Sequence, residues 1–388
     1  MTEQTQAQLM RCLQCKNPGG SAACPLGNDI PTIVRLVREG KFAMAVQVVG
    51  HPFGGVCGYV CPHENQCQGG CVLAKRGQAV PTGEAEAIAF TNSPYVVARR
   101  DDKLAGRRVA VVGGGVSGIT FAVKCYESGA DVTVYESNML LSTLYGIPEF
   151  RLPHTLLDDI VRSVEQSDIR VEHKYVCQAD IAAMQNDNDI VYLAVGRTVC
   201  RALGVTGEEY ATTADKFLHE AMLPRDVIVV GGGNTAMDCA RLNARLGGKT
   251  MIAYRRAMAD MPCYAKEVQA AADDGVMFET NLAPVMVDKQ ADGRLSVTFA
   301  RTNSEGRGRL SVTDELHTFS CDCLVVAAGN MLDGNVYAQD KTVPVDNCGN
   351  VDGNLYAGGD CAGGSLVVEA VKAAICAYNG VFERYATK

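Results

Sequence analysis

One pattern occurs twice in this 388-residue chain, and few folds accommodate it. The segment RRVAVVGGGVSGITFAVKCYESGADVTVYES starts at Arg107, and RDVIVVGGGNTAMDCARLNARLGGKTMIAYRR starts at Arg225. Each reads as an apolar strand, a glycine turn, a helix and a second strand rich in valine, threonine or isoleucine. The first turn is Gly113-x-Gly115-x-x-Gly118; the second is Gly231-x-Gly233-x-x-Ala236, with Asn234 and Thr235 opening its helix. Glycines at these places permit a tight turn and let the backbone approach a pyrophosphate seated on the helix N-terminus. A single copy would be weak evidence. Two copies, each between a strand and a helix and each closed by a second strand, predict a duplicated dinucleotide-binding fold rather than glycines serving turns alone.

The two second strands end differently. The first ends VTVYES, placing Glu136 where a carboxylate accepts hydrogen bonds from a ribose 2′-hydroxyl, as in FAD or NAD. The second ends MIAYRR, with Arg255 and Arg256 and no acid, which suits a 2′-phosphate and favours NADPH, with NADH as the alternative. The segments YLAVGR (Tyr192–Arg197) and VVAAGN (Val325–Asn330) are strand–Ala-x-Gly junctions, one after each motif. Near the C-terminus a strand runs into Gly358, Gly359 and Asp360 and then a helical stretch. An aspartate there can hold a flavin's ribityl hydroxyls, and the helix N-terminus can stabilise negative charge on a reduced isoalloxazine.

A net charge of -8 and the lack of a lysine–arginine run argue against nucleic acid and anionic membrane as partners. The first ten residues are polar, and no apolar run approaches the ~20 residues of a membrane span, so a cytoplasmic protein is expected. Seventeen cysteines then call for metal or redox chemistry, and seven of them fall within residues 12–71. The stretch CLQCKNPGGSAACP opens like a ferredoxin, with Cys12-x2-Cys15 and a later Cys24-Pro25, yet it supplies three thiolates where such runs supply four. Cys61-x5-Cys67-x3-Cys71 suits zinc as well as iron. A flavin domain that collects two electrons and must pass them on favours iron–sulfur clusters. The scattered cysteines, such as Cys125 and Cys239, read as buried core thiols. Cys321-x-Cys323 reads the same way, on one face of a strand, and no C-x-x-C beyond residue 100 supports a thioredoxin-reductase-like disulfide enzyme. His63 reads as a surface-loop histidine, with tuning of a cluster as its alternative role.

With these pieces placed, the chain resembles the small (beta) subunit of NADPH-dependent glutamate synthase and its relatives. Those include the NAD-binding subunit of bacterial dihydropyrimidine dehydrogenase and the large subunit of NADH-dependent ferredoxin:NADP oxidoreductase. The markers are RCLQC, ACPLGNDIP, CGYVCPHENQCQGGC, YGIPEFRLP, GGGNTAMDCARL, YRR followed by MP, and YAGGD. The resemblance covers nearly the whole chain. It implies an α/β protein of two Rossmann-like, glutathione-reductase-like FAD- and NAD(P)-binding domains, one inserted in the other, after an all-α iron–sulfur domain. The expected boundaries are 1–103 for the helical domain, 104–200 and 322–388 for the FAD domain, and 201–321 for the NAD(P)H domain.

By the same resemblance, one [4Fe-4S] cluster uses Cys24, Cys61, Cys67 and a side chain near Glu86, a residue that otherwise reads as solvated on a helix. The other uses Cys12, Cys15, Cys71 and a cysteine four residues before Cys24. That position is Gly20 here, so one or two clusters are expected. Cys57 is a non-ligand in the pattern. A second departure is Leu140-Leu141, where the relatives carry a glycine pair against the flavin. The implied function is electron input: hydride from NADPH to FAD, then single electrons through the clusters to a larger catalytic subunit or a ferredoxin. The same module serving pyrimidine reduction or ferredoxin–nicotinamide exchange is one alternative, and a nucleotide-binding scaffold without electron flow is another. No side chain need act as a strong acid or base, because the flavin carries the chemistry.

Overall fold

A computed structural model describes residues 2–220, 225–337 and 342–386. The chain divides into two compact units, one of Met1–Leu144, Glu149–Arg197 and Leu332–Lys388, the other of Tyr145–Pro148 and Thr198–Met331.

The first unit opens with helices, and no strand occurs among the described residues before Arg108. Ile30–Arg38 shows why these segments are helical. Asp29 caps it by accepting from the Thr32 amide, a proline lies in the first turn, and Arg35 and Arg38 occupy the last turn. Its buried stripe is Ile30, Ile33, Val34, Leu36 and Val37, the spacing of one helix face. Beyond the helices lies a six-stranded sheet. Its main strands are β1 (Arg108–Val112), β2 (Asp131–Glu136), β3 (Arg170–His173) and β4 (Ile190–Leu193). The order runs Asn350–Asp352, Leu355–Ala357, β4, β1, β2, β3, parallel except for the outer pair. β4 is buried at every residue and β1 at all but its first, as a sheet covered on both faces requires. The helix Val116–Glu127 lies over this sheet and packs against the C-terminal helix Val367–Tyr385, where Ser128 Oγ and Tyr378 Oη stand 2.7 Å apart.

The second unit holds a five-stranded parallel sheet in the order Thr212–Thr213, Cys323–Val326, Val227–Val230, Thr250–Tyr254, Met277–Thr280. A three-stranded antiparallel meander, Leu282–Lys289, Leu295–Ser304 and Leu310–Cys321, shares a core with one face of that sheet. Because Cys323–Val326 pairs with Val227–Val230, the strand before the second Ala-x-Gly junction belongs to this unit. The chain returns to the first unit at Leu332, ten residues later than the boundary drawn at 322.

The alternation expected across Cys321 and Cys323 does not hold. One strand ends at Cys321 and the next starts at Cys323, so Cys321 enters the meander-side core while Cys323 joins the helix-side core. Both are buried, and burial raises both thiols, Cys321 to about 12.

His51 couples the helical segment to the first nucleotide fold. It is 1% exposed, its Nδ1 accepts from the Phe53 amide at 3.2 Å, and its buried Nε2 has no partner. Lys124 reaches the same corner, donating to the Gly50 carbonyl at 2.6 Å. Burial, and then the Lys124 charge, push the imidazole down to about 3. Below the ordinary value near 6.5 the unfolded chain binds a proton that the folded chain refuses. His51 therefore supports folding fully above pH ~6.5 and withdraws support as pH falls towards 3, by at most about 5 kcal/mol. His51→Asn, which keeps an acceptor near Nδ1, should flatten the Tm–pH curve between pH 6.5 and 4. A curve parallel to that of the parent would show that His51 does not titrate in this way.

Candidate functional site

The two glycine turns are built alike. In the first, Gly113 has φ +105°, and a β-carbon there would stand 2.4 Å from the Ala194 carbonyl oxygen. A β-carbon on Gly118 would stand 1.9 Å from the Gly113 carbonyl oxygen. These two glycines are demanded by the packing of helix on strand. Gly115 is different: a β-carbon there meets nothing within 4 Å, and its backbone is extended. The second turn repeats the arrangement, with Gly231 at φ +152° against Ala327 O (2.2 Å) and Gly233 facing open space. Both following helices, Val116–Glu127 and Asn234–Arg245, start without a side-chain cap. Their first N–H groups and the positive helix ends are thus available to an anion over a cradle that a β-carbon would fill. That is the fit a dinucleotide pyrophosphate requires.

Glu136 sits at the end of β2 beside the first turn. One of its carboxylate oxygens accepts from the Gly114 amide at 2.6 Å; the other accepts from the Asn138 amide at 2.8 Å. The segment carrying Leu140 and Leu141 closes over this turn. Leu140 Cδ2 lies 2.5 Å from where a β-carbon on Gly114 would be, and the Leu141 amide donates to the Gly114 carbonyl at 3.0 Å. Leu141 takes φ +58° while fully buried, so the left-handed bend suited to a glycine is kept by a leucine under strain. Gly359 (φ +76°) packs on Ser117, whose hydroxyl lies 2.7 Å from that of the buried Tyr192. The Gly358–Asp360 turn is therefore anchored to the start of the Val116–Glu127 helix. Burial raises the Asp360 carboxyl, and the Arg197 charge opposes this.

In the second unit Asn234 Oδ1 accepts from the Tyr264 amide at 3.3 Å, and Thr235 is exposed. Arg255 is exposed, while Arg256 is half-buried with its Nε buried and unpartnered. Arg256 Nη2 donates to the Arg307 carbonyl at 3.3 Å. Arg307, at the tip of the meander, donates in turn from Nε to Asp260 O and from Nη2 to Met261 O, both at 3.2 Å. Sequence reasoning missed Arg307, because no local spacing links it to the Rossmann strand fifty residues earlier.

The cysteines fall into two groups. Cys12, Cys15, Cys71 and Gly20 line one cavity of about 40 Å³, along with Cys67 and apolar residues such as Ile30, Val72 and Val80. Gln14 takes φ +51° between the first two and donates to Cys12 Sγ at 3.2 Å. Gly20 is helical, and a β-carbon there would stand 3.0 Å from Cys67 O and 3.9 Å from Ile30 Cγ2. The backbone conformation does not require glycine at that position, but a β-carbon would press on the Cys67 carbonyl. The second group is Cys24, Cys61, Cys67 and Glu86. Burial raises Cys24, with Glu86 and Cys61 adding like charge, and pushes Cys67 up to about 12, with Glu86, Cys24 and Cys61 again nearby. Cys57 adjoins Cys61, and its thiol is raised by the hydrogen bond between them and then by burial.

Two expectations are corrected here. Glu86 is not solvated: it is 5% exposed, accepts from Asn28 Nδ2 at 2.9 Å, and burial lifts its carboxyl to about 7. His63 is not on the surface: it is buried, with Nε2 3.1 Å from Gly58 O and Nδ1 3.3 Å from Cys67 Sγ. A carbonyl can only accept, so Nε2 carries the proton and Nδ1 faces the thiol. Among the described residues no three His, Cys, Asp or Glu side chains converge closely enough for one metal ion. The donors are thiols in apolar surroundings, the chemistry an iron–sulfur cluster uses.

Residues 156–375 match the family described as pyridine nucleotide-disulphide oxidoreductase, which is more than half the chain. The chain belongs to that family. Residues 1–93 match the domain described as dihydropyrimidine dehydrogenase domain II, 4Fe-4S cluster. The glutamate synthase [NADPH] small chain of Escherichia coli K12 is 28% identical, covering 97% of this chain and 91% of that one. The putative oxidoreductase YgfK of the same organism is 30% identical over 93% of this chain but only 38% of its own length. Among solved structures, Mycobacterium tuberculosis FprA in complex with NADPH superposes with TM-score 0.57 at 17% identity, over 73% of this chain and 87% of that one. The thioredoxin reductase of T. acidophilum gives 0.52 at 19%, over 71% and 99%. These last two likenesses concern the fold. The protein is an NAD(P)H-dependent oxidoreductase of flavin and iron–sulfur type.

The glycine contacts separate folding from binding. Gly118→Ala should lower stability by about 1–3 kcal/mol through overpacking against Gly113 O. Gly115→Ala should leave Tm within a degree or two of the parent's, since its β-carbon meets only open space, yet weaken FAD retention. Thermal melts beside flavin content after gel filtration check both; unchanged flavin in Gly115→Ala would count against a pyrophosphate there.

Proposed function

We propose that this chain is an NADPH-driven electron-input subunit, which takes hydride onto FAD and passes electrons through iron–sulfur clusters to a larger partner subunit or a ferredoxin. The supporting observation is the pair of matching, uncapped glycine turns whose following strands end in opposite charge, Glu136 after one and Arg255-Arg256 after the other. Gly113, Gly115 and Gly118 with Glu136 would hold the adenosine diphosphate part of FAD, and Gly359 with Asp360 its ribityl end. Gly231, Gly233, Asn234 and Thr235 would seat the nicotinamide dinucleotide, with its 2′-phosphate at Arg255 and Arg256. Bound flavin supplies the conversion of a two-electron donor into a one-electron source. The chain's own residues bind and orient. Glu136 is already held by two amides, the glycines before Asp360 pack on the Ser117–Tyr192 pair, and Arg307 holds Arg256 through its carbonyl. Cys24, Cys61, Cys67 and Glu86 would ligate one cluster, and Cys12, Cys15 and Cys71 three corners of another.

Anaerobically purified protein should show flavin bands over a broad cluster shoulder, both bleached by NADPH. A scaffold without electron flow, the reading that Gly20 and Leu140-Leu141 support, would be colourless. Arg255→Ala/Arg256→Ala should lose NADPH preference by about 10- to 100-fold, the worth of ~1.5–3 kcal/mol in charge-assisted bonds. Arg307→Ala should lose a smaller part of the same preference, with KM for NADPH rising and kcat unchanged. Equal discrimination between NADPH and NADH in the double variant and the parent would sink the assignment. With only Cys12, Cys15 and Cys71 assigned to the cluster beside Gly20, iron should fall short of about eight per chain and rise in Gly20→Cys, taking four irons per cluster. Equal iron in the two would show that Gly20 costs no cluster.

A further inference from the structure

Fifteen of the seventeen thiols are buried or half-buried; Cys348 and Cys376 alone are exposed. They lie 28 positions apart in sequence, Cys348 in a turn and Cys376 on the C-terminal helix Val367–Tyr385. The structure brings them together. Cys376 Sγ lies 3.1 Å from the carbonyl oxygen of Asn347, the residue just before Cys348. Gly380 stands one helical turn beyond Cys376 and on the same face. A β-carbon on Gly380 would be 2.8 Å from Cys348 Cβ and 3.7 Å from Cys348 Sγ. One sulfur thus touches the peptide before the other cysteine, while that cysteine's own sulfur rests over the same helix face one turn beyond the first.

The turn is held in place. Asp346 Oδ1 accepts from the amides of Cys348 and Asn350, both at 2.8 Å. Gly349 takes φ +72°, and a β-carbon on it would be 2.9 Å from Ala377 Cβ. Contacts at Ala377 and Gly380, one and four residues beyond Cys376, therefore fix the turn against the helix. Neither cysteine belongs to the cluster-binding segment or to a nucleotide turn.

We infer that Cys348 and Cys376 form a redox-sensitive dithiol that closes to a disulfide tying the 346–349 turn to the C-terminal helix. A low-molecular-weight disulfide such as oxidised glutathione serves as oxidant. One cysteine thiolate attacks it, releasing one glutathione and leaving a mixed disulfide. The second thiolate displaces the other glutathione and forms the bridge. Two protein thiols are oxidised, one glutathione disulfide is reduced to two thiols, and the protons move to the departing glutathione. The bridge joins the turn that precedes the strand entering Gly359 and Asp360 to the helix that follows them.

The full chain with its cofactors is treated anaerobically with oxidised glutathione, and peptides are mapped by mass spectrometry without reductant. The expected product is a cross-linked pair of peptides bearing Cys348 and Cys376, two hydrogens lighter than their sum. A rise in Tm that dithiothreitol reverses should accompany it. Cys348→Ser should abolish the cross-link and the Tm rise and leave glutathione on Cys376. Stable mixed disulfides on both cysteines of the parent, or a Tm rise that persists in Cys348→Ser, would overturn the inference.

Discussion

The Gly113 carbonyl oxygen occupies the place where a β-carbon on Gly118 would have to go, and the first unit is organised around that contact. It lets the helix Val116–Glu127 descend onto β1 so closely that its first amides point past the end of the strand. The strand order follows from it. β1 lies central, β2 delivers Glu136 beside the turn, and β4 brings Ala194 against Gly113. The C-terminal helix then closes the layer. The second unit repeats the device with Ala327 in place of Ala194.

Much of this was readable in the sequence because it is local. A strand, a glycine turn and a helix are encoded within some twenty residues, and charge at the end of the next strand follows at a fixed distance. What escaped was set by partners remote in sequence. Glu86 lies on a helix whose composition does not mark a buried face, and only the crossing of that helix with Asn28 places its carboxyl inside. His63 looked like a loop residue until the fold set Gly58 and Cys67 on either side of it. The Cys321–Cys323 alternation failed because the backbone breaks at Asp322, and a two-residue period holds only within one strand.

The cysteine-rich segment combines both kinds of information. The family resemblance divides the thiols into sets, and the structure gives each a different environment. Cys24, Cys61 and Cys67 are desolvated beside a buried carboxyl, whereas Cys12, Cys15 and Cys71 border a cavity with a helical glycine at its edge. Deprotonation is costly for Cys24 and Cys67, so a cluster bound there, as proposed, would have to supply the energy to remove those protons. In the second set Gly20 adds no side chain to the three thiols.

Arg307 carries a different consequence. It stands at the tip of a meander yet holds Arg256 and the segment from Asp260 to Met261. On the proposed reading, in which Arg255 and Arg256 select the coenzyme, that choice would be distributed between a Rossmann strand and a hairpin that must form its own sheet before its tip can reach across. Mutations deep in that hairpin's core, far from any nucleotide, would loosen selectivity before they unfold the domain. Selectivity becomes a reporter of the meander's local stability.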